Sequence, residues 1–162
     1  LSRDEADEIA GPVAIDDLEE TALAVNELVT ERARECDLVH EDGKIECFAH
    51  DGQVYVADVV GTFDENRFSF DGQEVSKEVI RQYHKRTQPE WVEAVSEAKS
   101  QAKAEDVAEW KSLCDDDPEP LPDHVVDAAR DLYTAGTNAY IGRDLFEAPT
   151  LSEAVESVRE LK

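Results

Sequence analysis

Methionine is absent from all 162 residues, the first position included, so the chain reads as processed or cut from a longer one. Cysteine is scarce. Cys36, Cys47 and Cys114 form no CxxC pair, and an odd number cannot close into a full disulfide set. Free buried thiols in a reducing cytoplasm are the expectation. No long apolar run occurs and mean hydropathy is -0.54, which excludes a membrane-spanning helix. No charged-then-apolar signal segment opens the chain. The seven glycines form no phosphate-cradling cluster, and no GxxxxGK occurs. Positive charge is short as well: 16 Lys and Arg stand against 40 Asp and Glu, a net charge of -24. Such a surface repels nucleic-acid phosphates and anionic membrane, so neither is an expected partner. The expected location is cytoplasmic.

What is present is a foldable pattern. Hydrophobic residues make up 41% of the chain and recur at regular spacings, which argues against disorder. The length suits one domain or two small ones with a sizeable core. The acid excess, with only seven lysines, fits the surface of a halophile. There, molar salt shortens electrostatic range to about 3 Å.

The organisation is expected in three stretches. Residues 1–36 read as a helical lead-in. Ser2 and Glu5 form a capping box, Gly11-Pro12 stops that helix, and Asp16 can cap a longer one. Its apolar stripe is Leu18, Ala22, Val25, Val29, Ala33 and Cys36. Residues 37–70 read as β-rich, with turn signals at Asp42-Gly43, Asp51-Gly52 and Asp71-Gly72 and a hairpin over about 44–60. Residues 75–162 return to helix. Ser76 caps one through about Arg86, Pro89 and Pro122 open two more, and a last begins near Ser152. Asp115–Pro120 is a rigid acidic loop, and Trp91, Trp110 and Tyr133 are expected in the core. The fold class is therefore α+β, a small antiparallel sheet flanked by several helices.

Charge is unevenly spread. Residues 44–86 carry a net of -2 and the remaining 119 residues a net of -22. A β-rich middle built to receive anions would need this relief; so would strands that are simply more buried. Within that middle, Asp42, Lys44 and Glu46 alternate along one strand, Asp58 sits on the next, and Asp64 and Arg67 follow in the connection. Two carboxylates beside a lysine suit a magnesium-nucleotide site, since hard oxygens hold the ion and the ammonium offsets phosphate charge. A Lys44–Asp58 salt bridge across the strands is the structural alternative. Parity links the two strands. A three-residue His50-Asp51-Gly52 loop with a left-handed bulge places Lys44 opposite Asp58 and Glu46 on the same face. It also gathers Ile45, Cys47, Ala49, Tyr55, Ala57 and Val59 on the other face, so this register is the one expected over a two-residue turn.

Asp42-Gly43-Lys44-Ile45-Glu46, followed by Ala57-Asp58-Val59-Val60-Gly61-Thr62-Phe63-Asp64-Glu65-Asn66-Arg67-Phe68, resembles the phosphoribosylaminoimidazole-succinocarboxamide synthase (SAICAR synthetase) family. That family carries a D-x-K-[hydrophobic]-E-F-G strand and a D-E-[V/I]-x-T-P-D-x-x-R-F segment. The likeness continues through Val75-Ser76-Lys77-Glu78, Arg81-Gln82-Tyr83, Leu121-Pro122, Tyr133 and Tyr140, and is to the C-terminal half of the family's chain. It implies an ATP-dependent ligase of purine biosynthesis that joins L-aspartate to carboxyaminoimidazole ribonucleotide. By the family pattern, Glu46 and Asp58 hold Mg2+, and Lys44 contacts ATP. Asp42, Asp64 and Arg67 line the ribonucleotide or aspartate site, with Lys44, Asp64 and Arg67 closest to the chemistry. The missing N-terminal domain, which carries the ATP loop, is an implied partner, and a homo-oligomer fits the family's tendency to dimerise.

Three departures stand out. Val59 replaces a Glu, Cys47-Phe48 replaces Phe-Gly, and Phe63 replaces a Pro, which is expected to loosen the turn before Asp64. The rival function is a non-catalytic acidic interaction module, to be separated by whether Glu46 and Asp58 meet around a metal.

Overall fold

Local signals account for most of the helix ends in the computed structural model, which describes residues 2–161. Helix α1 (Arg3–Ala10) starts at the Ser2–Glu5 capping box, with Glu5 N donating to Ser2 Oγ at 3.2 Å, and ends at Gly11 with φ 69°. Helix α2 (Ile15–Arg34) is not capped by Asp16, which lies inside its first turn. Asp7 Oδ1 accepts from Ile15 N at 3.0 Å, and Asp16 pairs with Arg3, so the preceding helix supplies the cap. Strand β1 (Val39–Gly43) follows, then the hairpin β2 (Glu46–His50) and β3 (Gln53–Ala57), then β4 (Asn66–Phe70) and β5 (Gln73–Glu74). Helices α3 (Glu78–Thr87) and α4 (Pro89–Glu105) come next, then a 3-10 turn at Trp110–Leu113, α5 (Asp123–Ile141) and α6 (Leu151–Arg159). Ser76 Oγ accepts from Glu78 N at 3.3 Å, Pro89 occupies the first turn of α4, and a second capping box, Thr150–Glu153, opens α6.

The strands form two antiparallel sheets. One has the order β1-β4-β5 and the other is the β2-β3 hairpin. Asp42-Gly43, expected as a turn, is strand. Asp42 pairs with Arg67 and Gly43 with Asn66, and a Cβ on Gly43 would fall 2.5 Å from the Asn66 side chain. Glycine is there for close approach. The other two Asp-Gly pairs do turn: φ is 50° and 74° at Asp51-Gly52, and 47° and 73° at Asp71-Gly72.

The core gathers Val29 and Ala33 of α2, Leu38, Phe63, Phe68 of β4, Val75, Val79, Leu132 of α5 and Val155 of α6. Tyr133 packs against this cluster; the two tryptophans lie outside it, half-buried. The hairpin contributes nothing to it. Phe48, Tyr55, Val56 and Val59 are exposed, and the hairpin tip leans on α2, where Val54 and Gly52 share a cleft with Val25 and Leu28. Cys36, Cys47 and Cys114 are free but half-buried rather than buried. No helix of the described residues is long and apolar enough to cross a membrane.

Candidate active site

Four of the predicted residues, Asp42, Lys44, Glu46 and Arg67, lie where β1 leaves the three-stranded sheet and becomes the hairpin. Asp42 and Arg67 face each other across β1 and β4, and the guanidinium grips the carboxylate with two nitrogens, Nε donating to Oδ1 at 2.7 Å. This charge-assisted fork holds the Asp42 carboxyl below the usual carboxylate range and raises Arg67 further. One step beyond the ladder, Lys44 N donates to Glu65 O at 3.0 Å. The Lys44 ammonium lies 2.6 Å from Glu46 Oε1 and 3.5 Å from Glu65 Oε2. Its pKa is raised, first by the hydrogen bond to Glu46, so the side chain stays cationic. Glu65 was not among the residues picked out from the sequence. Its role as a third partner depends on pairing between segments more than twenty positions apart.

The hairpin register differs from the expected one. Glu46 pairs with Ala57, Phe48 with Tyr55 and His50 with Gln53, around a two-residue Asp51-Gly52 turn. Gly52 has the expected positive φ but sits in a turn rather than a bulge. Asp58 therefore lies one position past the last pair, outside the ladder, in a left-handed conformation with φ 64°, so it is not the cross-strand partner of Lys44 that the expected register made it. Its Oδ1 accepts from Val59 N at 2.8 Å. No Lys44–Asp58 bridge forms among the described residues; Lys44 uses Glu46 and Glu65 instead. Magnesium takes hard oxygens and commonly only one or two protein carboxylates beside phosphates and water. Glu46 and Asp58 fit that in kind, being exposed carboxylates, but the ladder ends at Glu46–Ala57 and does not pair them. Among the described residues no group of three or more His, Cys, Asp or Glu is placed to hold a metal.

Asp64 is presented from a braced loop. Gly61, at φ 74°, is packed so that a Cβ would meet the Tyr140 hydroxyl at 3.0 Å. Phe63 is 7% exposed and makes edge contacts with Phe68 at 5.4 Å and Tyr133 at 5.9 Å. A Cβ on Gly136 of α5 would fall 2.6 Å from Phe63 Cζ. Phe63 thus plugs into α5 where only glycine leaves room, and the turn is anchored, not loosened. Tyr133 Oη donates to Asp64 Oδ1 at 3.2 Å, and burial with the adjacent Asp64 pushes the phenol up to about 12. These groups line a cavity of about 350 Å³ with Thr62, Thr137 and Tyr140. The sequence names Tyr133 only as a core residue and as part of the family likeness; nothing local ties it to Asp64, 69 positions away.

A charged strand junction and a clamped loop on a helical body define an α+β unit with cations and carboxylates gathered at its surface. Residues 1–98 match the family profile described as SAICAR synthetase. A protein of Archaeoglobus fulgidus, provisionally named phosphoribosylaminoimidazole-succinocarboxamide synthase, is 42% identical over 164 residues, covering 99% of this chain and 47% of that protein. The Thermoplasma acidophilum protein named phosphoribosylaminoimidazole-succinocarboxamide synthase is 31% identical over 143 residues, covering 82% and 45%. No solved structure matches. The chain belongs to the SAICAR synthetase family. It spans about half the length of the curated relatives it matches.

Proposed function

We propose that this chain is the part of an ATP-dependent ligase that supplies one wall of its active site, in an enzyme joining L-aspartate to carboxyaminoimidazole ribonucleotide to give SAICAR. The observation that carries this reading is the gathering of Asp42, Lys44, Glu46, Glu65 and Arg67 at one strand junction, in a chain that matches the family along its motifs. Residues 1–162 act as one C-terminal unit, and a further half carrying the glycine-rich nucleotide loop supplies the opposite wall. The exposed hairpin residues Phe48, Tyr55, Val56 and Val59 suit contact with that half.

In the reaction, an oxygen of the ribonucleotide's carboxylate takes the γ-phosphoryl group of ATP, releasing ADP. The aspartate amine then attacks the activated carbonyl carbon, phosphate leaves with the C–O bonding pair, an amide forms, and the amine gives up a proton. Lys44, kept cationic by Glu46 and Glu65, faces the phosphates and offsets their charge. Arg67 can release one arm of its fork from Asp42 to take an anionic substrate group without losing orientation. Asp64, held by Tyr133, orients the amine or the ribose. Glu46 and Asp58 would hold Mg2+, whose charge would stabilise the phosphates.

The test is coupled ADP release by this chain joined to the family's other half, in molar salt. Glu46→Gln and Asp58→Asn are each expected to slow turnover strongly, since a neutral amide holds magnesium less well while preserving shape. Substitutions in Asp115–Asp117 should leave it unchanged. Near-normal rates for both carboxylate variants would make the pair structural and favour the interaction-module reading.

A further inference from the structure

The two tryptophans of the chain line a second cleft, which shares no lining residue with the cavity beside Asp64. It lies between α3, α4 and the 3-10 turn, encloses about 450 Å³, and is lined by His84, Lys85, Trp91, Ser96, Lys99 and Trp110, among others. That volume is within the ordinary range of about 300–1,000 Å³ for small-molecule sites. Its charge sets it apart. Four other clefts of this surface each include at least one carboxylate in their lining. This one includes none, yet carries Arg81, Lys85 and Lys99, in a chain of net charge -24. Arg81 and Lys85 share Glu78 at 3.5 and 3.3 Å. Lys99 makes no ion pair among the described residues; its ammonium rests over the Trp110 ring, 4.7 Å from the centroid.

The floor is aromatic. The Trp91 ring lies 5.0 Å from His84, and its indole N–H is occupied by Asp116 O at 3.2 Å, which leaves the ring faces as its contact surface. Stacking surfaces and an ammonium with no ion pair among the described residues call for two features in one ligand, a flat aromatic ring and an anionic substituent.

We propose that this cleft is a binding site, separate from the candidate active site, for a planar aromatic anion the size of a nucleoside monophosphate. The ring lies against Trp91 and Trp110, and the anion meets Lys99. This assignment is independent of the ligase reading, since it uses none of Asp42, Lys44, Glu46, Asp58, Asp64 or Arg67.

The experiment is nitrogen-resolved NMR of the whole chain in the lowest salt at which circular dichroism shows it folded. Only two indole N–H signals exist, and they report on the cleft directly. Adenosine 5′-monophosphate should shift both saturably, while adenosine and inorganic phosphate should each act far more weakly. Lys99→Gln, an exposed change that should not disturb folding, should weaken binding roughly fivefold, the effect of removing one exposed charge contact. Trp110→Leu should weaken it further, with Lys99→Gln decisive if that variant fails to fold. Any of four results overturns the proposal: indole signals that do not move, shifts confined to residues 42–67, adenosine or phosphate alone matching the monophosphate, or a Lys99→Gln titration identical to the parent.

Discussion

Gly136→Ala should destabilise this protein, although it places a better helix former inside a 19-residue helix. In an open helix, Ala gains about 1 kcal/mol over Gly. Here the added methyl would lie 2.6 Å from Phe63 Cζ and closer still to Cε2, well inside contact distance. Phe63 has no free direction in which to retreat. It is 7% exposed and wedged against the rings of Phe68 and Tyr133. Overpacking typically costs about 1–3 kcal/mol, and a clash this close against an immobile ring belongs at the upper end, about 2–3 kcal/mol, so it should outweigh the propensity and leave a net loss of about 1–2 kcal/mol. Urea unfolding in molar salt, followed by far-UV circular dichroism, should show the midpoint fall by about 0.5–1 M with an unchanged slope. Repeating the change in a Phe63→Ala background separates the mechanisms. That truncation itself costs about 3–5 kcal/mol, but with the ring gone the methyl should stabilise by up to about 1 kcal/mol. The reversal of sign implies a coupling of about 2–3 kcal/mol between the two sites. A Gly136→Ala protein as stable as the parent, or more stable, would refute the account of Phe63 as a plug that replaces the family's proline.

Two further outcomes are expected. Tyr133, with its phenol pushed up to about 12, should be the last tyrosine to ionise in an alkaline absorbance titration, and Tyr133→Phe should delete that step. Because its folded pKa lies above the unfolded one, its contribution to stability is complete below about pH 10 and fades as pH rises toward 12; four tyrosines titrating together near 10 would rule out the Asp64 contact. A chain of net charge -24 should also lose stability on dilution from 2 M to 0.1 M salt, by on the order of 10 °C in Tm, equivalent to about 3 kcal/mol for this size. A melting temperature indifferent to salt would remove the case for a halophile's surface.

Features governed by a few neighbouring residues were legible in the sequence. The Ser2–Glu5 box, the Pro89 and Pro122 helix starts, the Asp51-Gly52 reversal and the apolar stripes of α2 and α6 all follow from local backbone sterics, capping and periodicity. The α+β class followed from them, and the motif residues carried the family. What tertiary structure decided is of a different kind. Asp42-Gly43 carries a turn signal, but β4 pairs with it and makes it strand. Sorting polar from apolar residues favoured the wrong hairpin register because it assumed a buried face. The hairpin stands outside the core with Phe48 and Tyr55 exposed, so burial does not select its register, and the two-residue turn does. Glu65 beside Lys44, Tyr133 beside Asp64 and Gly136 beneath Phe63 join segments 21, 69 and 73 positions apart. Local periodicity has no access to such pairs, because the free energy that sets them is packing between elements rather than preference within one.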